Sequence, residues 1–220
     1  DALDALMVVE YPRIDLGADL GVDHVDRDGH VIDVELLDGV HVVGQRQATQ
    51  RVLDLLTRSA MGLTAAHQPK AGSGVRGVLY FAGPTGVGKT EMAKAIAELV
   101  FGKEDALIRF DMSEFSHEAS EARLIGSPPG YIGHNAGGEL TNAVRSKPFS
   151  VVLFDEIDKA HGRIHDKFLQ ILSDGRLTDG SGDTVYFTDT IIVFTSKQGV
   201  LDAGHIDTST DEGVSEYQTL

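Results

Sequence analysis

The sequence predicts an α/β protein in which a parallel β-sheet is sandwiched by helices. Four short, mostly apolar runs read as strands: 77–82, 106–110, 149–154 and 190–194. Helix-length segments separate them, several with apolar residues at i, i+3, i+4 and i+7. The runs are apolar nearly throughout instead of alternating, as expected of strands buried on both faces.

The elements follow in order. Residues 1–40 give weak local signals. Val31–Leu36 partly alternates after the turn signal Asp28-Gly29, which fits a short hairpin or an acidic lead-in. From Gln45 to about Leu63, Ala48, Val52, Leu55 and Leu56 fit one helix face, and residues 64–76 read as a loop. After the first strand comes a glycine-rich turn, then a helix from Lys89 to Phe101 with Met92, Ala95, Ile96, Leu99 and Val100 on one stripe and Gly102 at its C-cap. The second strand leads to a helix over about 114–124, a Gly/Pro loop over 126–138 and a helix over 139–146. The third strand ends in Asp155-Glu156. Ile164, Phe168, Ile171 and Leu172 then mark a helix stopped by Gly175, and residues 179–183 form a hairpin tip before the fourth strand. Beyond Gly199 the chain turns polar, and order is expected to fade there. The expected division is an acidic N-terminal segment (1–40), a central α/β unit (41–199) and a polar acidic tail (200–220).

Charge and composition remove several classes of function. The formal net charge is −15, but residues 1–40 hold 11 acids against 2 bases and residues 200–220 hold 5 acids and no base. The middle is nearly neutral, so no basic face presents itself for nucleic acid. The acidic flanks read as solvated tails, with docking of a partner as the alternative. The chain has no cysteine, which removes disulfides, thiolate metal sites and thiol catalysis. No apolar run approaches the ~20 residues of a membrane span, and the chain opens on Asp1 without a cationic, apolar leader. A cytoplasmic globular protein is the expectation, with no membrane partner.

Two motifs carry chemistry. Gly83-Pro84-Thr85-Gly86-Val87-Gly88-Lys89-Thr90 fits G-x-x-x-x-G-K-[ST] between a strand and a helix. Phosphate oxygens need several backbone N–H groups converging on them. Glycines let the chain wrap that closely, and the helix N-terminus adds partial positive charge. Lys89 is placed to reach terminal phosphates and Thr90 to hold magnesium; the plain alternative is a glycine-rich turn. Asp155 and Glu156 emerge at a strand's C-terminal end, where ligands bind in open α/β sheets. Asp155 suits magnesium opposite Thr90, and Glu156 suits a general base for water attacking the γ-phosphate. The alternative is an acid pair favoured by a helix dipole. His161 and His165 stand four apart, but Gly162 follows His161 where the metalloprotease pattern needs Glu.

The stretch from His41 to Gly199 resembles the second ATPase module of Clp-type AAA+ protein-remodelling chaperones, of the ClpA and ClpB kind. The likeness rests on 42–45 (VVGQ), 83–90, 108–114 (IRFDMSE), 124–133 (LIGSPPGYIG), 155–161 (DEIDKAH) and 174–180 (DGRLTDG). It implies a P-loop NTPase fold, the AAA+ large subdomain, acting as a magnesium-dependent ATPase with ATP and Mg2+ as cofactors. Val42 and Val43 would lie against adenine, residues 84–91 (Pro84 to Glu91) would cradle phosphates, and Tyr131 with Ile132 would form the pore loop that grips a polypeptide. Assembly into a hexameric ring is implied, with any peptidase or adaptor unidentified.

The resemblance breaks at three places. Where the family has Thr-Ser-Asn-x-Gly, with the Asn sensing γ-phosphate, this chain has Thr195-Ser196-Lys197-Gln198-Gly199. Lys197 cannot accept a hydrogen bond; it either contacts phosphate as a point charge or turns away. The family's arginine finger and its helical lid with a sensing arginine fall outside these residues. The isolated chain is therefore expected to bind nucleotide, hydrolyse it very slowly and remain monomeric. A scaffold that binds nucleotide with little hydrolysis is the competing reading, motivated by Lys197.

Overall fold

The computed structural model describes residues 7–10, 46–60, 74–128, 130, 131 and 137–197. Strand β1 (Met7–Glu10) precedes helix α1 (Arg46–Ala60), β2 (Gly77–Ala82), α2 (Lys89–Phe101), β3 (Leu107–Asp111), α3 (Ser120–Ile125), α4 (Glu139–Ser146), β4 (Val151–Asp155), α5 (Gly162–Asp174), β5 (Arg176–Thr178), β6 (Thr184–Tyr186) and β7 (Ile191–Ser196). The main sheet has the order β1-β2-β7-β4-β3. Its four strands β2, β7, β4 and β3 run parallel, as the sequence predicts, and β1 adds antiparallel at the edge of β2.

Alternate residues along a strand face opposite sides, so the parallel strands feed two cores. Leu79, Phe81, Val151, Leu153, Ile191 and Val193 pack with Val52, Leu53, Met92 and Ile96 of α1 and α2. On the other face Val152, Phe154, Ile192 and Phe194 pack with Leu140 and Val144 of α4 and Ile164, Phe168 and Ile171 of α5. Every residue of β4 and β7 is buried, which is why these segments read as continuous apolar runs.

The register aligns Phe110, Phe154 and Phe194 across three neighbouring strands. Phe110 and Phe154 stack at 5.9 Å and 20°, and Phe154 and Phe194 at 5.4 Å and 21°. The Phe168 ring closes on both, 4.4 Å from Phe154 and 5.5 Å from Phe194. Such pairs add about 0.5–1.5 kcal/mol each beyond area burial. They stiffen the sheet next to its C-terminal edge, where Asp111, Asp155 and Thr195 follow.

Helices α2, α4 and α5 coincide with the expected ones, α2 and α5 ending on the left-handed glycines Gly102 (φ 72°) and Gly175 (φ 66°). The helix expected over 114–124 is instead two pieces, a 3-10 turn at Met112–Phe115 and α3. Asp111 explains the break: its Oδ1 accepts from the Ser113 N–H at 3.0 Å and the Ser113 hydroxyl at 2.5 Å, which fixes a tight turn straight after β3. Strand β1 is a short apolar triplet, Met7-Val8-Val9, that the sequence reading does not single out. The expected hairpin at 31–36 and the tail beyond 200 lie outside the described residues.

Candidate nucleotide site

The C-terminal edge of the parallel sheet brings the two sequence motifs together. Ala82 pairs with Ser196 in the β2–β7 register and Asp111 with Asp155 in β3–β4. The Gly83 N–H donates to the Ser196 carbonyl at 3.3 Å, tying the start of the glycine loop to the end of β7. Asp155, Glu156, Asp158 and Lys197 all act electrostatically on Lys89. The loop, the acid pair and Lys197 therefore share one space.

The loop is shaped for an anion. Gly86 (φ 88°) and Gly88 (φ 96°) take the left-handed backbone that side-chain-bearing residues avoid. A Cβ at Gly86 would meet nothing within 4 Å, so only backbone geometry demands glycine there. Gly88 caps α2 without any side-chain hydrogen bond, and the Met92 N–H to Gly88 carbonyl bond (2.8 Å) opens the helix ladder. The N–H groups of the first turn thus lack helical acceptors and lie at the positive end of the helix dipole. This donor set fits a phosphate chain. Thr85 and Gly86 are exposed, while Pro84, Val87 and Thr90 are partly buried. Glu91 is exposed and pairs with Lys94 at 3.0 Å instead of facing the loop.

Lys89 folds back over the loop. Its ammonium donates to the carbonyls of Gly83 at 2.6 Å and Pro84 at 2.8 Å, so the cation spans the mouth of the turn. Burial lowers its pKa and the neighbouring Lys197 adds to this, against the pull of Asp155 and Glu156.

Asp155 ends β4 and is 8% exposed. Its Oδ1 accepts from the Thr195 hydroxyl at 2.5 Å and its Oδ2 from Arg109 Nη2 at 2.5 Å. A hard cation takes carboxylate, hydroxyl and phosphate oxygens. Asp155 and the Thr90 hydroxyl supply that donor chemistry, so the residues present fit magnesium. Glu156 has φ 57°, the single positive-φ residue other than glycine among the described residues. Its N–H donates to Thr195 Oγ1 at 3.0 Å, so one hydroxyl braces both acids. The Glu156 carboxylate is paired with the Lys197 ammonium, which raises the Lys197 pKa chiefly through that hydrogen bond. Of the two alternatives open for Lys197, contact with phosphate or turning aside, the ligand-free chain shows it turned onto Glu156.

Other candidates fall elsewhere. Tyr131 follows Gly130 (φ 92°) and is 70% exposed. The stem of its loop is packed tightly: a Cβ on Gly138 would lie 2.4 Å from the Ile125 carbonyl carbon, and one on Gly180 would lie 2.4 Å from the Gly126 oxygen. Gly180 also donates its N–H to the Ile125 carbonyl at 2.9 Å, locking the β5–β6 hairpin to that stem. Val42, Val43 and Ile132 lie outside the described residues. His161 Nδ1 accepts from the Arg163 N–H at 3.4 Å, while His165 Nε2 lies 3.1 Å from the Ile157 carbonyl. No cluster of three or more metal-ligating side chains occurs among the described residues. A hollow of about 250 Å³ between β2 and α5 is lined mostly by apolar side chains, Val78, Tyr80, Phe168, Leu172 and Phe194 among them, with His165 also in its lining, and contains none of the residues of the two motifs.

The sequence reading assigned no role to Arg109 or Thr195. Both sit in strands and reach the acids only through register, a signal that local patterns lack.

The AAA domain (Cdc48 subfamily) family model matches residues 76–218. The chain is 54% identical over 168 residues, 76% of its length, to chaperone protein ClpB of Aquifex aeolicus, covering 16% of that protein. It is 49% identical over 181 residues, 81% of its length, to the chloroplastic chaperone protein ClpB3 of Arabidopsis thaliana, covering 18% of it. It is 44% identical over 222 aligned residues, 99% of its length, to the ATP-dependent Clp protease ATP-binding subunit ClpE of Bacillus subtilis, covering 30% of it. The chain thus spans less than a third of the length of these curated relatives.

Proposed function

This chain belongs to the AAA-domain family (Cdc48 subfamily) as a Clp-type AAA+ module, and from that premise we propose that it binds magnesium ATP at the β2–α2 loop and hydrolyses it to drive protein remodelling. The single observation that supports this most is the convergence of the glycine loop, Lys89, Asp155 and Glu156 at one sheet edge. Backbone N–H groups from the loop and the first turn of α2 hold phosphate oxygens, and Lys89 leaves the Gly83 and Pro84 carbonyls to neutralise terminal phosphate charge. Thr90 and Asp155 hold magnesium, which supplies charge withdrawal from the phosphates when bound. Glu156 takes a proton from water at its carboxylate oxygen, a general-base role worth ~10²–10⁴-fold. Val42 and Val43 contact adenine.

The whole-protein reading goes further. The chain acts as the second, C-terminal ATPase module of a hexameric, cytoplasmic chaperone in which Tyr131 and Ile132 grip a translocating polypeptide. The exposure of Tyr131 on a glycine-flanked loop supports that grip, since one ring offers apolar contact tolerant of sequence. Alone, the 220 residues hydrolyse slowly. The Lys197–Glu156 contact favours a second reading, a nucleotide-binding scaffold with little turnover.

Calorimetry with magnesium ATP tests the primary reading. Wild-type chain binds, Lys89→Ala loses at least tenfold in affinity, and Glu156→Gln binds but abolishes turnover in the assembled parent protein. Absence of binding by folded wild-type chain rejects the site. Unchanged turnover in Glu156→Gln removes Glu156 as base, and parent-protein turnover that Lys197→Asn fails to raise counts against the scaffold reading.

A further inference from the structure

Lys197 stands where two demands meet. It is the first residue after β7, whose last residue Ser196 accepts the Gly83 N–H that begins the glycine loop. Its ammonium pairs with Glu156 Oε1, and it acts on the charges of Lys89 and Asp111 as well. The Glu156 backbone is separately fixed by its left-handed turn and by Thr195 Oγ1. The Lys197 contact therefore adds nothing to placing the Glu156 main chain; it decides where the carboxylate points. The pair is half open to water, with the lysine side chain 46% and the glutamate side chain 29% exposed. An ion pair this exposed is weak and easily exchanged, and the flexible lysine stem lets one ammonium serve two anions in turn.

Resting on the reading of this site as a triphosphate pocket, we propose that Lys197 is a positioning residue that exchanges partners. Without a terminal phosphate it holds the Glu156 carboxylate. With one it transfers to that phosphate and frees Glu156 to orient water. Triphosphate, and not diphosphate, then unlatches the base. Lys89 and Lys197 repel across the pocket, and a terminal phosphate placed between them relieves that repulsion while drawing Lys197 from Glu156. The ammonium of Lys197 is thereby a switch set by nucleotide state.

A double-mutant cycle tests the exchange. The 220-residue chain and its Glu156→Gln, Lys197→Met and doubly substituted forms are titrated calorimetrically with magnesium and either a non-hydrolysable ATP analogue or ADP. Both side chains are exposed enough that the fold is retained, which circular dichroism checks. If Lys197 exchanges, Glu156→Gln tightens the triphosphate about two- to fivefold more in the presence of Lys197 than in the Lys197→Met background. ADP shows no such difference, and Lys197→Arg, which keeps both contacts, restores the coupling. Effects that add independently for the triphosphate overturn the exchange while leaving the pocket intact, because purely through-space charge effects are additive. Equal coupling for ADP and the triphosphate overturns it too. Failure of folded wild-type chain to bind either nucleotide removes the pocket reading and the exchange together.

Discussion

Substituting Gly180 by alanine is expected to loosen the base of the 126–138 loop. The added Cβ would lie 2.4 Å from the Gly126 oxygen, 2.6 Å from its carbonyl carbon and 2.7 Å from the Ser127 carbonyl carbon. All three are backbone atoms, so no rotamer change relieves the overlap. Ordinary contact begins at 3.4 Å, and the hairpin must back away by about 1 Å. That movement strains or breaks the Gly180 N–H to Ile125 carbonyl bond at 2.9 Å. Overpacking of this kind costs about 1–3 kcal/mol and a lost buried hydrogen bond about 1 kcal/mol. The sum, about 2–4 kcal/mol, is a large part of a typical 5–15 kcal/mol stability. With a urea slope of about 2 kcal/mol per molar, the unfolding midpoint falls by about 1–2 M. Gly162→Ala is the control: it opens α5, has no atom within 4 Å of the new Cβ, and is expected to change stability by less than ~1 kcal/mol, in the stabilising direction. A Gly180→Ala midpoint within about 0.3 M of wild type refutes the claim that hairpin and loop stem are one packed unit.

Two further outcomes follow from the site and its surroundings. Thr195→Val keeps volume but removes the hydroxyl that serves both Asp155 Oδ1 and the Glu156 N–H. It is expected to cost about 1.5–3 kcal/mol in urea unfolding and to lower kcat of the assembled parent more than its ATP affinity; a loss confined to affinity contradicts the bracing role. Asp111→Ala is expected to cost about 1 kcal/mol at pH 7. The Ser113 hydroxyl bond holds the Asp111 pKa below its ordinary 3.8, so this stability is present above pH 3.8 and is lost as the pH falls through the lower folded value. Urea midpoints of wild type and variant therefore converge between about pH 5 and pH 2, and a gap that widens on acidification contradicts the assignment.

The fold is legible where a pattern is local. Gly88-Lys89 and Gly102 mark both ends of α2, and the unbroken apolar run at 151–154 announces a strand buried on both faces. The glycine loop and the acid pair are legible for the same reason, since each is a short contiguous motif with a mechanical demand behind it. The break after Asp111 is not, because a side chain bonding two residues ahead competes with helix propensity and wins. Arg109 on Asp155, Thr195 between the two acids and Lys197 on Glu156 depend on which strands lie side by side. That order, β2-β7-β4-β3, is a property of the crossovers and leaves no trace in local spacing.

Strand β1 places residues from the start of the chain against the rim of β2, with Met7 opposite Ala82 and Glu10 opposite Leu79. Met7 thus sits across from a residue one short of Gly83, where the glycine turn starts. Trimming the first ten residues bares amides and carbonyls along Leu79–Ala82, a rail on which any extended strand, including that of a sister molecule, can settle. Shortened preparations should therefore self-associate edge to edge.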